Sequence, residues 1–229
     1  MATDDKVLLI TGASSGIGAE TARHAVEAGY AVVLAARSLD KLAALVGELG
    51  AERAQAVTCD VTEWPQVEHA VAQAIERFGR LDAVFANAGF GMARGFEKAD
   101  PEEWRAMVLT NVYGAALTIR ASLPALRASR GHLLLTGSVA GRVAIEGSLY
   151  SATKWAVTGM AESLRKEVAG TGIRVTLVEP GMVDTPFFDE RPKDALQPAD
   201  IARAVVYALS QPPHVNVNEM LIRPTGQAG

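Results

Sequence analysis

Tyr150 and Lys154 lie four residues apart in SLYSATKWAV, residues 148–157, so a helix would set the phenol one turn from the ammonium. An unperturbed tyrosine, with a pKa near ~10, is a poor base at neutral pH. A cation ~4 Å away at an effective dielectric of ~20 is worth up to ~4 kcal/mol, roughly three pKa units, which would bring the phenol toward pH 7. Such a phenol can give a proton to a carbonyl oxygen in a reduction or take one from an alcohol in an oxidation. Ser138 ends the strand-like run GHLLLTGS just before the pair, and its hydroxyl could hold the reacting oxygen. An isolated Y-x-x-x-K also describes an amphipathic helix with a half-buried tyrosine and a surface lysine, so the pair gains meaning only from its setting.

A second constellation opens the chain. TGASSGIG, residues 11–18, places Gly12, Gly16 and Gly18, with Ser14, Ser15 and Ile17 between them, where a first strand would turn into a helix. Glycines there let the backbone turn sharply and approach a pyrophosphate, whose charge sits on the helix N-terminus. Tight strand-to-helix turns use glycine without any ligand too. GASSG also satisfies the G-x-S-x-G pattern of a hydrolase nucleophile, with Ser14 as the nucleophile. That pattern needs several strands before it and an acid and a histidine after it. Ser14 follows the first strand, and His24, His69, His132 and His214 stand in no paired context.

The end of the second strand bears on the nucleotide. An acid about 20 residues past the glycine turn would bind the ribose 2′-hydroxyl of NAD. Here stand Ala35, Ala36, Arg37 and Ser38, with no carboxylate. A planar, permanently charged guanidinium at Arg37 suits the 2′-phosphate of NADP. The alternative is a solvated surface arginine, with Ser38 capping the next helix and Asp40 in its first turn.

These residues need a scaffold that brings strand ends together. KVLLIT, AVVLAA, AQAVTCD, LDAVFANA, GHLLLTGS, IRVTLVEP and NEMLIRP read as strands, several of them apolar at successive positions as in a sheet covered on both faces. Helical patterns run between them, including one long stretch from Pro101 to Ser129, and several end at glycine. The expectation is a single doubly wound Rossmann-type α/β domain spanning residues 1–229, with a seven-stranded parallel sheet.

Composition agrees. A chain of 229 residues, 49% hydrophobic and 21% charged, falls in the size range of one globular core. A net charge of −4, without charge runs, offers no field for nucleic acid. One cysteine, Cys59, rules out an intrachain disulfide or a cysteine-rich metal site. No run approaches the ~20 apolar residues of a membrane span, and MATDDK lacks a signal-peptide pattern. The expected setting is soluble and cytoplasmic, with no membrane or nucleic-acid partner and no metal.

Taken together, TGASSGIG, NAG at 87–89, Asn111, Ser138, Tyr150-x-x-x-Lys154 and PGMVDTP at 180–186 resemble the short-chain dehydrogenase/reductase family, from residue 6 to about 222. The resemblance implies an NADP(H)-preferring oxidoreductase, with NAD(H) possible, acting on a carbonyl or secondary alcohol. It makes Tyr150 the general acid/base and Lys154 the group that lowers its pKa and holds the nicotinamide ribose. Ser138 orients substrate, and Asn111 supports a water relay. Asp60 and Val61 match the pair at the adenine, and Asn87, Ala88 and Gly89 the segment beside the ribose. Pro180, Gly181, Val183 and Thr185 match the nicotinamide-side loop. Arg37 matches the NADP-preferring subgroup, although relatives often carry a base inside the glycine turn where this chain has Ser14 and Ser15.

The ending LQPADIARAVVYALSQPPHVNVNEMLIRPTGQ resembles that of 3-hydroxy acid and serine dehydrogenases, making a 3-hydroxy acid or a small ketone the expected substrate. A short lid at about 186–197 is expected, with Phe90, Met92, Val139, Val143, Phe187 and Phe188 as pocket walls or as simple loop anchors. Arg142 or Arg94 is placed either to receive a substrate carboxylate or as a structural arginine. The rival from another class, a catalytically silent dinucleotide-binding regulator, would be expected to have altered Ser138, Tyr150 or Lys154. Surplus apolar residues on the helices around 103–128 and 152–169, with the strand NEMLIRP, imply a homotetramer, with a dimer as the lesser assembly.

Overall fold

The computed structural model describes residues 5–188 and 192–227. Seven strands, β1 (Val7–Thr11), β2 (Ala31–Ala36), β3 (Ala54–Thr58), β4 (Ala83–Ala86), β5 (His132–Thr136), β6 (Arg174–Pro180) and β7 (Glu219–Ile222), form one sheet. Their order is β3-β2-β1-β4-β5-β6-β7, and every pairing is parallel. The chain winds outward from β1 to β3, then returns to the middle and winds the other way from β4. The gap beside β1 and β4 at the carboxyl edge is therefore a switch point, where nothing crosses and a ligand can enter.

Alternation within each strand builds two cores. Val7, Leu9, Val33, Leu133 and Leu135 face the side covered by α3 (Trp64–Phe78), α5 (Ala115–Ser129) and α6 (Leu149–Glu167). Leu8, Ile10, Leu34 and Leu134 face α1 (Gly16–Glu27), α2 (Leu39–Leu49) and α7 (Pro198–Ser210). Both faces are buried, which is why these strands are apolar at consecutive positions.

The long helix expected from Pro101 to Ser129 is interrupted. It divides into α4 (Pro101–Val108), a π-helical turn at Leu109–Gly114, and α5. A Cβ on Gly114 would stand 2.6 Å from Cγ2 of Val61, so only glycine lets the β3 end pack this close. A single wide turn of this kind re-aims side chains, and here it carries Asn111, which is buried. Within the expected lid, residues 189–191 lie outside the described residues.

His132 is buried at the start of β5. Its Nε2 lies 2.7 Å from Oγ1 of Thr176, whose own hydroxyl donates to the carbonyl of Val217, so the imidazole donates from Nε2. Nδ1 has no partner. Burial first, then the nearby Arg174, hold its pKa down at about 3. The folded state thus keeps the ring neutral while the unfolded chain protonates it near ~6.5. Its contribution to stability is complete above pH ~6.5 and is lost as pH falls toward 3, at up to ~1.4 kcal/mol per pH unit. His132→Gln should flatten that part of the acid limb in urea titrations between pH 4 and 6.5. An unchanged slope would exclude His132 as its source.

Candidate active site

The glycine turn is built by left-handed backbone and close contacts. Gly12 and Gly16 have φ of 66° and 53°, a region that suits glycine. A Cβ on Gly12 would stand 2.8 Å from the Cα of Ala88, and one on Gly18 would overlap the carbonyl of Gly12. Ser15 is the N-cap residue of α1, yet its side chain does not cap. Among the described residues the leading amides of α1 thus have no side-chain acceptor, as an anion site requires. Ser14 is partly buried and Ile17 leans on the core beneath.

Asn87 ties this turn to the centre of the sheet. Its Nδ2 donates to the carbonyls of Thr11 and Gly12, at 3.1 and 3.4 Å, and its Oδ1 accepts from the hydroxyl of Thr136 at 3.0 Å. Thr11 Oγ1 in turn accepts from the amides of Asn87 and Ala88. Sequence reasoning missed Thr11 and Thr136, although both stand inside the motifs it used.

At the β2 end, Arg37 and Ser38 are exposed. Ser38 begins α2 without a side-chain cap, and Arg37 has no hydrogen-bond or ion-pair partner among the described residues. At the β3 end, Oδ1 of Asp60 is held by the amide and hydroxyl of Thr62, while the Asp60 amide donates to Gln66. Val61 is buried beside it.

Four residues converge at the β5 end. Ser148 caps α6 by accepting from the Ser151 amide, which sets Tyr150 and Lys154 in the first turns. Lys154 is buried, donates from Nζ to the carbonyl of Thr136 at 2.7 Å, and stands 5.6 Å from the Tyr150 ring centre. Asn111 grips the backbone of Phe90 through both ends of its amide and donates to Oγ1 of Thr153. A Cβ on Gly89 would lie 3.0 Å from Asn111 Oδ1 and 3.6 Å from Lys154 Nζ, so the missing side chain leaves these two groups facing one pocket. Ser138 starts a short 3-10 turn, its Oγ accepting from the Ala140 amide.

The electrostatics differ from the expectation of a phenol brought toward pH 7. Burial pushes the Tyr150 pKa up to about 12, a hydrogen bond with Ser138 pulling the other way, and burial lowers Lys154 to about 8. The reason is placement. The ammonium is directed at a backbone carbonyl, and the loss of water outweighs what its charge offers the phenol.

The β6 end supplies the remaining wall. Pro180, Gly181 and buried Val183 lead to Thr185, whose methyl would be 3.1 Å from a Cβ on Gly16, so this loop reaches back to the glycine turn. The Phe187 ring packs edge-on against Tyr150 at 5.3 Å and against Phe188 at 5.0 Å. It sits over Gly91, where any Cβ would overlap it. Of the two arginines considered for a substrate carboxylate, Arg142 is already committed. It forks onto buried Glu179 at 2.6 and 2.8 Å and also pairs with Glu219. Arg94 is exposed.

A glycine turn, a basic β2 end and a Ser-Tyr-Lys-Asn cluster on one sheet edge match a known arrangement. The family profile for short chain dehydrogenases matches residues 6–196. The chain belongs to the short-chain dehydrogenase family. Its relatives include an uncharacterized oxidoreductase of Staphylococcus aureus, 41% identical over 225 residues, covering 96% of this chain and 97% of the relative. One from Staphylococcus saprophyticus is 42% identical over 229 residues, covering 96% and 97%. An alcohol dehydrogenase from Thermococcus sibiricus, solved with 5-hydroxy-NADP, superposes with a TM-score of 0.91 at 34% identity, over 98% of both chains. A serine dehydrogenase solved with NADP+ gives 0.90 at 30%, over 97% of this chain and 96% of that one. As a short-chain dehydrogenase, this protein is an NAD(P)-dependent oxidoreductase acting on CH–OH groups.

The pKa direction of Tyr150 can be read optically in the cofactor-free protein. The phenolate absorbance lost on Tyr150→Phe should develop only above pH ~10. A phenolate difference with a midpoint near pH 7 would contradict the burial argument.

Proposed function

We propose that this chain is an NADP(H)-dependent oxidoreductase that moves a hydride between nicotinamide and a carbonyl or secondary alcohol, with Tyr150 as the general acid/base. The observation that carries the reading is the convergence of Ser138, Tyr150, Lys154 and Asn111 beside the β1–β4 switch point. The cofactor fits the residues present. Gly12, Gly16 and Gly18 form a cradle that side chains would fill, α1 presents uncapped amides, and Arg37 stands unpartnered at the ribose end. The pyrophosphate would lie on the turn at Ser14, Ser15 and Ile17, the adenine between Asp60 and Val61, and the ribose beside Asn87, Ala88 and Gly89. The 2′-phosphate would meet Arg37 and Ser38, and the nicotinamide would meet Pro180, Gly181, Val183 and Thr185. When bound, that nicotinamide supplies or accepts the hydride.

The chain's own part is the proton. In reduction, the Tyr150 hydroxyl gives its proton to the carbonyl oxygen as that oxygen gains charge, while Ser138 holds the same oxygen. The protonated phenol that burial favours is the form this direction needs. Lys154, lowered to about 8, lies close enough to neutrality to return the proton, and Asn111 orders the route between Phe90 and Thr153. Phe187 packs edge-on against Tyr150, which favours a substrate whose carbonyl carries an apolar group. With Arg142 bound to Glu179, an uncharged ketone is the better-supported substrate. The likeness to a serine dehydrogenase supports a 3-hydroxy acid as a second class, with Arg94 as its cation.

Assembly belongs to the same proposal. Of the surplus apolar residues on these helices, Met107, Val157, Leu164 and Val168 are buried in the chain's own core. Val108, Tyr113 and Trp155 remain exposed, and a groove between α5 and α6 is lined by Ile119, Leu123 and Met160. Paired helices and the β7 edge, where Leu221 is exposed, would close a homotetramer.

Three outcomes are expected. With NADPH and a panel of ketones and 3-oxo acids, Tyr150→Phe should lower kcat by ~10²-fold or more while the cofactor still binds; retained turnover would remove Tyr150 from the chemistry. Arg37→Ala should weaken NADPH about ten- to a hundredfold and leave NADH nearly unchanged; equal weakening of both would deny it the phosphate. Light scattering on a sizing column should report four copies of the 24.1 kDa chain, and the mass of one chain would refute the assembly.

A further inference from the structure

The nicotinamide-side loop is held from the far end of the chain. Gly181 donates its amide to the carbonyl of Ile222 at 2.7 Å, extending the β6–β7 ladder by one step. Beyond β7 the chain turns through Pro224, Thr225 and Gly226, and the turn is closed by the Gln227 amide on the Pro224 carbonyl at 3.0 Å. That turn aims the Gln227 side chain back at the loop. Its Oε1 accepts from the Met182 amide at 2.9 Å. Gln227 packs directly over Gly181: a Cβ there would meet Oε1 of Gln227 and force that side chain to shift, and would stand 3.1 Å from Cδ of Pro224.

On its other side the same loop is pinned by Leu196, whose amide donates to Met182 and whose carbonyl accepts from Asp184. The Met182 peptide is therefore clamped at both ends, the amide by Gln227 and the carbonyl by Leu196. Val183 and Thr185 follow directly, and Thr185 reaches the glycine turn at Gly16. The Gln227 bond adds a further restraint to those from Ile222 and Leu196. Without Gln227, the Met182 amide loses its acceptor, while the hydrogen bonds to Ile222 and Leu196 remain.

We propose that Gln227 is a positioning residue for the nicotinamide half of the cofactor, acting through the Met182 amide, so that the C-terminal turn is a working part of the site. The inference rests on the functional reading above, and it concerns a residue outside every motif of the site. The role needs an acceptor at the reach of a glutamine: Glu restores it, Ala removes it, and Asn is too short.

The test separates the two halves of the cofactor. Gln227→Ala, Gln227→Asn and Gln227→Glu are compared with wild type for NADPH binding, for kcat, and for binding of adenosine 2′,5′-bisphosphate, which lacks the nicotinamide half. Gln227→Ala and Gln227→Asn should weaken NADPH roughly five- to tenfold and lower kcat. Both should leave the bisphosphate affinity and the melting temperature unchanged, and Gln227→Glu should restore NADPH binding to within about twofold. NADPH affinity and kcat unchanged in Gln227→Ala would overturn the proposal. So would equal weakening of NADPH and the bisphosphate, which marks general damage. Wild-type protein that binds neither compound would instead refute the functional reading itself.

Discussion

The site is organised around an ammonium that has been taken out of water. Lys154 is 4% exposed, and a buried charge is tolerated only with good partners. Its partner is the carbonyl of Thr136 at the end of β5. Backbone at a strand end cannot move without the sheet, so the lysine is fixed relative to the central strands. The hydroxyl of Thr136 then passes the constraint to Asn87, and Asn87 passes it to Thr11 and Gly12. Helix α6 and the glycine turn are thus registered through three adjacent strands, β5, β4 and β1. The π-helical turn at Leu109–Gly114 serves the same pocket by bringing Asn111 under Gly89 and against Phe90.

Burial favours the protonated form of the phenol. It raises Tyr150 to about 12 and lowers Lys154 to about 8, so the two values move apart and the lysine holds its proton the more weakly. In the proposed reaction, a proton held by Tyr150 and a lysine near neutrality would form a short relay suited to delivery to a carbonyl. Phe187 contributes by excluding water from one face of the phenol, and its seat exists because position 91 is glycine. The Arg142 fork on Glu179 locks the turn after Ser138 to the β6 end, which serves the geometry of the site and leaves its charge neutralised.

Much of this was legible in the chain. Strand runs apolar at every position announced a sheet covered on both faces, and glycines at the first strand end announced the turn. The spacing of Tyr150 and Lys154 placed them on one helical face. Spacing says nothing, however, about which acceptor an ammonium finds, and a carbonyl 18 residues away was not weighed against the phenol. Arg142 was open to two readings because its partners, Glu179 and Glu219, are brought to it only by β6 and β7. The π-helical turn had no local signature, and Val61, which packs against its Gly114, comes from a distant part of the chain.

Lys154 is buried and bonded to Thr136 before any cofactor arrives. Its side-chain ionisation can be followed directly by carbon NMR of ¹³C-lysine-labelled protein, with Lys154→Arg to assign the resonance. The account predicts a midpoint at about 8 in the cofactor-free protein. A midpoint at an ordinary lysine value near ~10.4 would contradict it, because a lysine with that value is still in water.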